Sequence, residues 1–367
     1  MSIPVVKSTV PPFEEFVNEL KPIFESRILT NAGTEFKRFH QLMTEFLEVP
    51  YSSLFVNGHM ALEIAIQALG LNVPDGEVIT TPYTFISTTH AITRNGLKPV
   101  FCDIRESDYT MDPDKIEALI TDKTVAIIPV HVYGKICDVE KIDAIGKKHG
   151  LKVIYDAAHA FGIKYKGVSV GNFGDASMFS FHATKVFNSI EGGCITFKDQ
   201  AYEEPLQELK NFGIHTPEDI DAIGCNAKMD EIRAAMGICN LRHLDETIAS
   251  RKAVCDRYAE RLGNTPGIIL PKDQDGVTKN YSYMPIIIDE EIFGESRDVV
   301  CDRLKEHDIT ARKYFYPAIN DTTCYKNERG ETPIAHKISL RVLTLPLYEA
   351  LPLDDVDTIC DVILKKQ

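Results

Sequence analysis

The sequence lacks the features that mark membrane proteins and nucleic-acid-binding proteins. Its 40 Lys and Arg residues stand against 54 Asp and Glu residues, which gives a net charge of −14. This acidic balance argues against binding to nucleic acid or to an anionic membrane surface. No apolar run reaches the roughly 18 to 20 residues that a bilayer-spanning helix needs. We therefore expect neither nucleic acid nor a membrane as a partner.

The cysteines also lack the spacing of a metal site or a disulfide framework. There are nine, an odd number, and none stands in a C-x-x-C pair. Such scattered cysteines predict free thiols in a reducing cytoplasm and no metal centre. The N-terminal stretch MSIPVVKSTVPPFEEF has no basic region ahead of a long apolar run, so it is not typical of a signal peptide. The phosphate-binding patterns G-x-G-x-x-G and G-x-x-x-x-G-K-[ST] are missing too.

The pattern of apolar runs predicts an α/β protein of two domains. From residue 53 to about 240, runs such as EVITTPYTF, TVAIIPVHVYG and LKVIYD alternate with helical patterns. These runs show no period-2 polarity, which is typical of a mainly parallel sheet covered on both faces. A long helical segment is predicted over 226–263. We expect a large domain over 1–245, with an N-terminal arm and a helix that return to it, and a smaller α+β domain over 246–367.

Polar residues follow the predicted strands at two places. In VIYDAAHAFG, Asp156 ends an apolar strand and His159 follows three residues later. A carboxylate there needs a cation or hydrogen bonds; it could equally cap a helix. In SFHATKVFNSIEGG, Lys185 lies between two apolar segments, where burial would make it an amine nucleophile and base. In parallel sheets such strand ends converge on one crevice.

A third candidate is the turn in NGHMALEIAIQAL, which leads from a strand into a helix. The first backbone N–H groups of a helix have no internal partner, so they can hold a phosphate. Taken alone, this turn also suits a plain strand-to-helix connection. Phe85 in TPYTFIST likewise suits a core aromatic residue.

Together these motifs carry a family resemblance. Five motifs, which occur in the family's order over roughly 25–360, resemble those of the DegT/DnrJ/EryC1/StrS sugar aminotransferases: NGHMAL, IIPVHVYG, YDAAHAFG, SFHATKVFNSIEGG and LTLPLY. The resemblance implies the aspartate-aminotransferase-like fold, called fold type I, with pyridoxal 5′-phosphate (PLP) as the cofactor. It also implies a homodimer.

The resemblance assigns roles to individual residues. Lys185 matches the lysine that forms the Schiff base with PLP, and Asp156 matches the carboxylate that faces the pyridine nitrogen. His159 matches the residue beside the ring, where many relatives have Gln. Phe85 matches the aromatic residue that stacks on the opposite ring face.

Four further positions are implied for the phosphate. The backbone of His59 and Met60 and the hydroxyl of Ser180 match the phosphate-binding groups. Asn226 matches a residue that reaches the phosphate of the neighbouring subunit. Glu191 in the EGG turn matches a fixed position of the family without an assigned contact.

The implied reaction is transfer of an amino group from L-glutamate to a dTDP-linked keto sugar. The wording of NGHMALEIAIQAL and FSFHATKVFN is most similar to the branch that acts at carbon 4 of dTDP-4-keto-6-deoxyglucose. Dehydratases of the family carry His where this chain has Lys185, which favours transamination. Two positions depart from the family: Tyr155 stands where relatives usually have Glu, and the run YFYPAIN has no His after its Tyr-Pro.

Three alternatives remain open. The first is a 3-aminotransferase acting on a dTDP-3-keto sugar with the same cofactor residues. The second is a non-catalytic protein that kept the fold, against which the set Asp156, Ser180 and Lys185 stands. The third is a cysteine desulfurase-like enzyme; Cys194 and Cys324 lie near plausible loops, but neither has a supporting motif.

Overall fold

The computed structural model describes residues 2–365. The α-helices are α1 (Phe13–Ser26), α2 (Thr34–Phe46), α3 (Gly58–Ala68), α4 (Ser87–Arg94), α5 (Val139–His149), α6 (Glu203–Leu209), α7 (Glu231–Arg242), α8 (Leu244–Leu262), α9 (Glu290–Phe293), α10 (Arg297–Glu306), α11 (Pro333–Arg341) and α12 (Leu353–Leu364). The strands are β1 (Tyr51–Phe55), β2 (Glu77–Thr80), β3 (Lys98–Phe101), β4 (Thr124–Ile128), β5 (Lys152–Asp156), β6 (Lys164–Tyr165), β7 (Val168–Ser169), β8 (Ala176–Ser180), β9 (Gly193–Phe197), β10 (Ile214–Thr216), β11 (Asp219–Ile220), β12 (Ile268–Ile269), β13 (Met284–Ile288) and β14 (Val342–Leu345).

A seven-stranded sheet forms the centre of the larger part of the chain. Its strand order is β1-β9-β8-β5-β4-β2-β3. Neighbours pair in parallel from β8 through β5, β4 and β2 to β3, whereas β9 pairs antiparallel with both β1 and β8. Crossover helices between parallel strands must cover both faces of such a sheet. The predicted mainly parallel α/β sheet is confirmed.

The alternation of side chains within a strand divides the core between the two faces. In β2, Val78 belongs to a cluster with residues of α3, α4 and α6, and Ile79 belongs to a cluster with residues of α2, α5 and α7. Successive side chains of a strand point to opposite faces, so each face needs its own apolar layer. This double cover explains why the strand sequences are continuously apolar.

A smaller antiparallel sheet, β12-β13-β14, follows in the C-terminal part. Its core includes Val254 of α8, Val300 of α10 and Ile359 of α12. The predicted domain boundary after residue 245 falls in the first turn of α8, and it stays a prediction. No helix within residues 2–365 combines the length and the apolar character that a membrane crossing requires.

The N-terminal segment differs from its prediction. It contains two helices, α1 and α2, instead of one, and both pack on α7. The residues before them pair elsewhere: Ile3 bridges to Ile309 and lies in the core of the smaller sheet. The N-terminal arm therefore contacts the C-terminal part first, and the chain then crosses to the part that contains the central sheet.

The helical segment predicted over 226–263 is also divided. It consists of α7 and α8, with His243 between them. Asp230 caps α7 by accepting a hydrogen bond from the Arg233 backbone N–H at 2.9 Å, which sets the start of this helix. The residues before Asp230 are therefore not helical.

Candidate active site

A cavity of about 370 Å³ opens where strands β5 and β8 of the central sheet end. Ligands of open α/β sheets bind at this carboxyl edge of the strands. The lining residues are Asn57, Gly58, His59, Thr84, Phe85, Ser87, Asp156, Ala158, His159, Met178, Ser180, His182, Thr184, Lys185, Glu191, Tyr283, Arg312, Tyr314 and Phe315. Residues from both the central sheet region and the C-terminal part thus face one space.

Asp156 supplies a buried carboxylate to this cavity. It is the last residue of β5 and is 5 % exposed. Thr88 donates its hydroxyl to one carboxylate oxygen at 2.7 Å, and the Ala158 backbone N–H donates to the other at 3.1 Å. Burial raises the pKa of Asp156, while these two bonds and the positive charge of Lys185 oppose that rise. A buried carboxylate of this kind favours a cationic ligand atom opposite it.

Lys185 brings an amine to the same cavity. It is half-buried in the loop after β8, and its backbone N–H bonds to the carbonyl of His182 at 2.9 Å. Its Nζ donates to the hydroxyl oxygen of Tyr283 at 3.3 Å. Within residues 2–365 it has no carboxylate at ion-pair distance, so the amine is held by a neutral group. A neutral partner leaves the amine free to react.

His159 forms part of a flat aromatic wall. It is 4 % exposed, and its Nδ1 accepts a hydrogen bond from the backbone N–H of Tyr133 at 3.1 Å. Burial, with the nearby charge of Lys185, lowers the pKa of His159 well below its usual value, so the ring is neutral. The ring lies within 3° of parallel to that of Phe315, with centroids 5.9 Å apart. Such a neutral plane suits contact with a planar ring rather than binding of an anion.

The start of α3 provides a place for an anion. Asn57 caps the helix, since its side chain accepts from the Met60 N–H at 2.8 Å and its carbonyl accepts from the Ala61 N–H at 3.1 Å. The N–H groups of Gly58 and His59, the first two of the helix, have no intrahelical acceptor, and both residues line the cavity. Met60 does not line it. The first two N–H groups of α3 can therefore receive a phosphate oxygen.

Gly58 allows this helix end to approach β8 closely. A Cβ atom at Gly58 would lie 2.9 Å from the Cβ of Ser180 and 3.1 Å from the sulfur of Met178. Only glycine fits without displacement of the strand. The Ser180 side chain therefore lies next to the N-terminus of α3, where both can bind one group.

The remaining predicted residues take different places. Phe85 lines the cavity and is 51 % exposed, so its ring is available to a ligand. Glu191 lines the cavity, with one oxygen 3.6 Å from Nε2 of His182. Asn226 is exposed, pairs with Asn211 in an isolated bridge, and does not line the cavity of its own chain. Its contact with a second subunit stays a prediction.

Several site residues were missed in the sequence. Thr88, Tyr283 and Arg312 carry hydrogen-bonding groups to the site, but no motif marks them. Tyr283 and Arg312 reach the cavity from the C-terminal part, about a hundred residues or more beyond Lys185. The aromatic run YFYP was the one available signal, since its residues Tyr314 and Phe315 line the cavity.

Comparison with known proteins agrees with this geometry. A dTDP-4-amino-4,6-dideoxy-D-glucose transaminase of Shigella dysenteriae is 43 % identical over 363 residues, which is 98 % of this chain and 97 % of that protein. DesI, solved in the presence of its TDP-sugar product, is 32 % identical with a TM-score of 0.94, covering 99 % of this chain and 92 % of DesI.

Two further findings fix the family. Spr1654 of Streptococcus pneumoniae in its PLP form is 26 % identical with a TM-score of 0.89, covering 99 % of each chain. Residues 13–364 match the description DegT/DnrJ/EryC1/StrS aminotransferase family. The resemblance, the fold class and the enzyme class predicted from the sequence are confirmed, and this chain belongs to the DegT/DnrJ/EryC1/StrS aminotransferase family.

Proposed function

We propose that the protein is a PLP-dependent aminotransferase acting on a nucleotide sugar. It transfers an amino group from L-glutamate to carbon 4 of dTDP-4-keto-6-deoxy-D-glucose and forms dTDP-4-amino-4,6-dideoxy-D-glucose. The observation that carries the proposal is the presence of Lys185 and the buried carboxylate of Asp156 in one cavity. The name of the 43 %-identical Shigella transaminase supports the sugar and the position of amination.

The residues present fit PLP. Asp156 supplies the buried carboxylate that a protonated pyridine nitrogen needs, and the N-terminus of α3 with Ser180 supplies donors for the phosphate. His159 and Phe85 supply aromatic surfaces for the ring, and Lys185 supplies the amine for covalent attachment. When bound, PLP would take up the electrons that are released when the C–H bond of the donor carbon breaks.

The protein groups then handle charge and protons. Thr88 and the Ala158 N–H donate hydrogen bonds to the Asp156 carboxylate and so lower its pKa against the effect of burial. Lys185 is placed to act as a general base and a general acid. It takes a proton from the donor carbon and later gives a proton to the sugar carbon that receives the amino group. Tyr283 orients this amine through the hydrogen bond to its hydroxyl. Two substrates use one site in turn, so ping-pong kinetics are expected.

We assign the working form to a homodimer in which Asn226 of each subunit reaches the phosphate of the other site. Several large apolar side chains are exposed in the described chain, and a partner subunit would cover those that lie in its interface. They include Phe24, Phe212, Ile220 and Ile223, of which Ile223 is 96 % exposed. Sedimentation velocity of the loaded enzyme tests the dimer; a monomer at active concentrations rejects it.

The cysteines bear on the compartment in which the reaction takes place. All nine cysteines are unpaired in the structure, which supports a reducing cytoplasm as the compartment. No nucleic acid and no membrane enter the proposed reaction, in keeping with the net charge of −14.

The decisive experiment offers the 4-keto and the 3-keto dTDP sugars separately, with glutamate, and identifies the products by mass spectrometry. Amination of the 4-keto sugar is expected. Turnover of the 3-keto isomer alone would assign the protein to the 3-aminotransferases instead. A colourless protein that stays colourless with added PLP would support a non-catalytic role.

A further inference from the structure

A second, smaller cavity adjoins the candidate active site. Its volume is about 30 Å³, and four residues line both cavities: Thr184, Tyr283, Arg312 and Tyr314. A water molecule needs roughly 10 to 15 Å³ of such space, so this cavity accepts a group about as large as two oxygen atoms. It is too small for a sugar or a nucleotide.

The small cavity is positively charged. Arg251 lines it and is 2 % exposed; Nε donates to the Tyr281 carbonyl at 2.8 Å and a terminal nitrogen donates to the Ser282 carbonyl at 2.7 Å. Arg312 also lines it, held on the small sheet by two backbone bonds to Thr344. Neither guanidinium has a carboxylate partner within residues 2–365.

This lack of partners is unusual for the protein. The chain has fewer basic than acidic residues, and each of its other arginines except the exposed Arg27 forms an ion pair in the described residues. Burial lowers the pKa of Arg251 to about 10, which shows how poorly its charge is compensated. Buried charges are normally paired, so an anionic ligand is the expected partner.

We propose that Arg312 and Arg251 form the subsite for the side-chain carboxylate of the amino donor, so that the site selects a dicarboxylic amino acid. The proposal rests on the aminotransferase function above, and it deepens that function by naming residues that select the donor. Planar guanidinium groups bind carboxylates in a bidentate manner, which gives both charge and geometric selection.

The reach of the two carboxylates from the donor nitrogen favours the side-chain carboxylate over the α-carboxylate. Nζ of Lys185, the amine that the donor replaces in the proposed reaction, lies 5.7 Å from the ring centroid of Tyr283, a residue that lines both cavities. Standard bond lengths keep an α-carboxylate oxygen within roughly 3.6 Å of the donor nitrogen. The side-chain carboxylate of glutamate extends to roughly 6 Å, so it reaches further toward the small cavity than the α-carboxylate does.

The test measures the two half-reactions separately in the PLP-loaded enzyme. Loss of the yellow colour of the PLP form on mixing with glutamate, glutamine or alanine reports the donor half-reaction, and its return with the keto sugar reports the acceptor half-reaction. For Arg312→Gln we expect kcat/KM for glutamate to fall about 100-fold, as loss of hydrogen bonds between charged groups implies. The glutamine, alanine and keto-sugar rate constants change less than about 3-fold, because their binding does not use this pair.

A binding measurement gives a readout that does not depend on turnover. Glutarate, which has two carboxylates and no amine, competes with glutamate, and its Kd is expected to rise at least about 10-fold in Arg312→Gln, whereas the Kd of butyrate stays unchanged. Arg312→Lys restores the charge but not the planar pair of N–H donors, so we expect an intermediate loss of glutarate affinity. Arg251→Lys tests the buried partner in the same way.

Arg341→Gln is the matched control, because Arg341 lines neither cavity and pairs with Asp289 at 3.4 Å. Equal losses for all donors, or a loss confined to the keto-sugar half-reaction, would overturn the assignment and place the α-carboxylate or the diphosphate at these arginines. If no amino acid bleaches the wild-type enzyme, the aminotransferase function itself fails. If glutamate bleaches wild type and Arg312→Gln equally, only the subsite fails.

Discussion

The amine of Lys185 and the hydroxyl of Tyr283 meet across 3.3 Å, although the two residues stand 98 positions apart in the chain. Lys185 belongs to the region of the central sheet, and Tyr283 directly precedes β13 of the small sheet. The hydrogen bond therefore joins the two parts of the molecule at the proposed reaction centre. The position of the amine depends on how the C-terminal part packs against the central sheet.

Tyr283→Phe tests this link. The substitution keeps the ring and removes the hydroxyl, so the amine loses its acceptor. A hydrogen bond to a charged group contributes about 1.5 kcal/mol or more, which corresponds to a loss in kcat of about 10-fold. The cofactor affinity, measured by absorbance titration, is expected to stay within about 3-fold, since the phosphate and ring contacts remain. An unchanged kcat would show that Tyr283 does not position the amine.

Lys185→Ala removes the proposed covalent and proton-transferring group. We expect the protein to bind PLP without covalent attachment, so that borohydride no longer fixes the cofactor to the chain, as shown by intact mass. Turnover is expected to fall by at least about 100-fold, the lower end of what general acid–base catalysis contributes. Lys198→Ala, at an exposed position just after β9, is the control. Retained turnover in Lys185→Ala would refute the assignment.

Asp156→Asn tests the carboxylate. The amide has nearly the same shape; its oxygen can still accept from the Ala158 N–H, and its NH2 group can donate to the Thr88 hydroxyl, so the fold is expected to survive. The negative charge opposite the pyridine nitrogen is lost, and activity is expected to fall by about 100-fold or more, because charge stabilisation in a water-excluded site is strong. Circular dichroism checks the fold. Wild-type rates in this variant would remove Asp156 from the mechanism.

Thr88→Val tests how the charge of Asp156 is maintained. The Thr88 hydroxyl stabilises the ionised carboxylate and so lowers the pKa of Asp156 against the effect of burial. Without this donor the pKa rises further, and the acid limb of the pH profile of kcat/KM is expected to move to higher pH. The alkaline limb should not move. A profile with an unshifted acid limb would contradict the role of Thr88.

Lys210 gives a prediction about stability. Its Nζ is buried against Ser53 Oγ at 2.9 Å and the Leu54 carbonyl at 3.2 Å, and burial lowers its pKa to about 7. The unfolded chain, with a normal lysine pKa near 10.4, binds more protons above pH 7 than the native protein does. The free energy of unfolding therefore rises with pH between about 7 and 10, by up to about 1.4 kcal/mol per pH unit from this group.

Lys210→Met isolates this contribution, because methionine keeps an apolar chain of similar length without the titrating amine. Urea unfolding of both proteins at pH 7 and pH 9 is the measurement. We expect the free energy of unfolding of wild type to rise relative to that of the variant as the pH rises. If the difference in unfolding free energy between the two proteins is the same at both pH values, Lys210 is not a depressed lysine.

The sequence alone determined the parallel sheet and the two chemical groups at its edge. Continuous apolar runs separated by helical patterns reflect a sheet with two covered faces, and this pattern is local. Asp156 ends strand β5 and Lys185 follows strand β8, and these two strands pair as neighbours in the sheet. Their convergence could therefore be predicted from their positions at strand ends.

Only the tertiary structure decided which residues complete the site and what supports the start of α2. Glu231 of α7 accepts hydrogen bonds from the backbone N–H groups of Gly33 and Glu35 at 2.8 Å each, and so supports the start of α2 across almost 200 positions. Tyr283 and Arg312 reach the cavity in the same way, by packing of the C-terminal part. Contacts between residues so distant in the chain leave no local periodicity, because side-chain direction within an element says nothing about which other element it will meet.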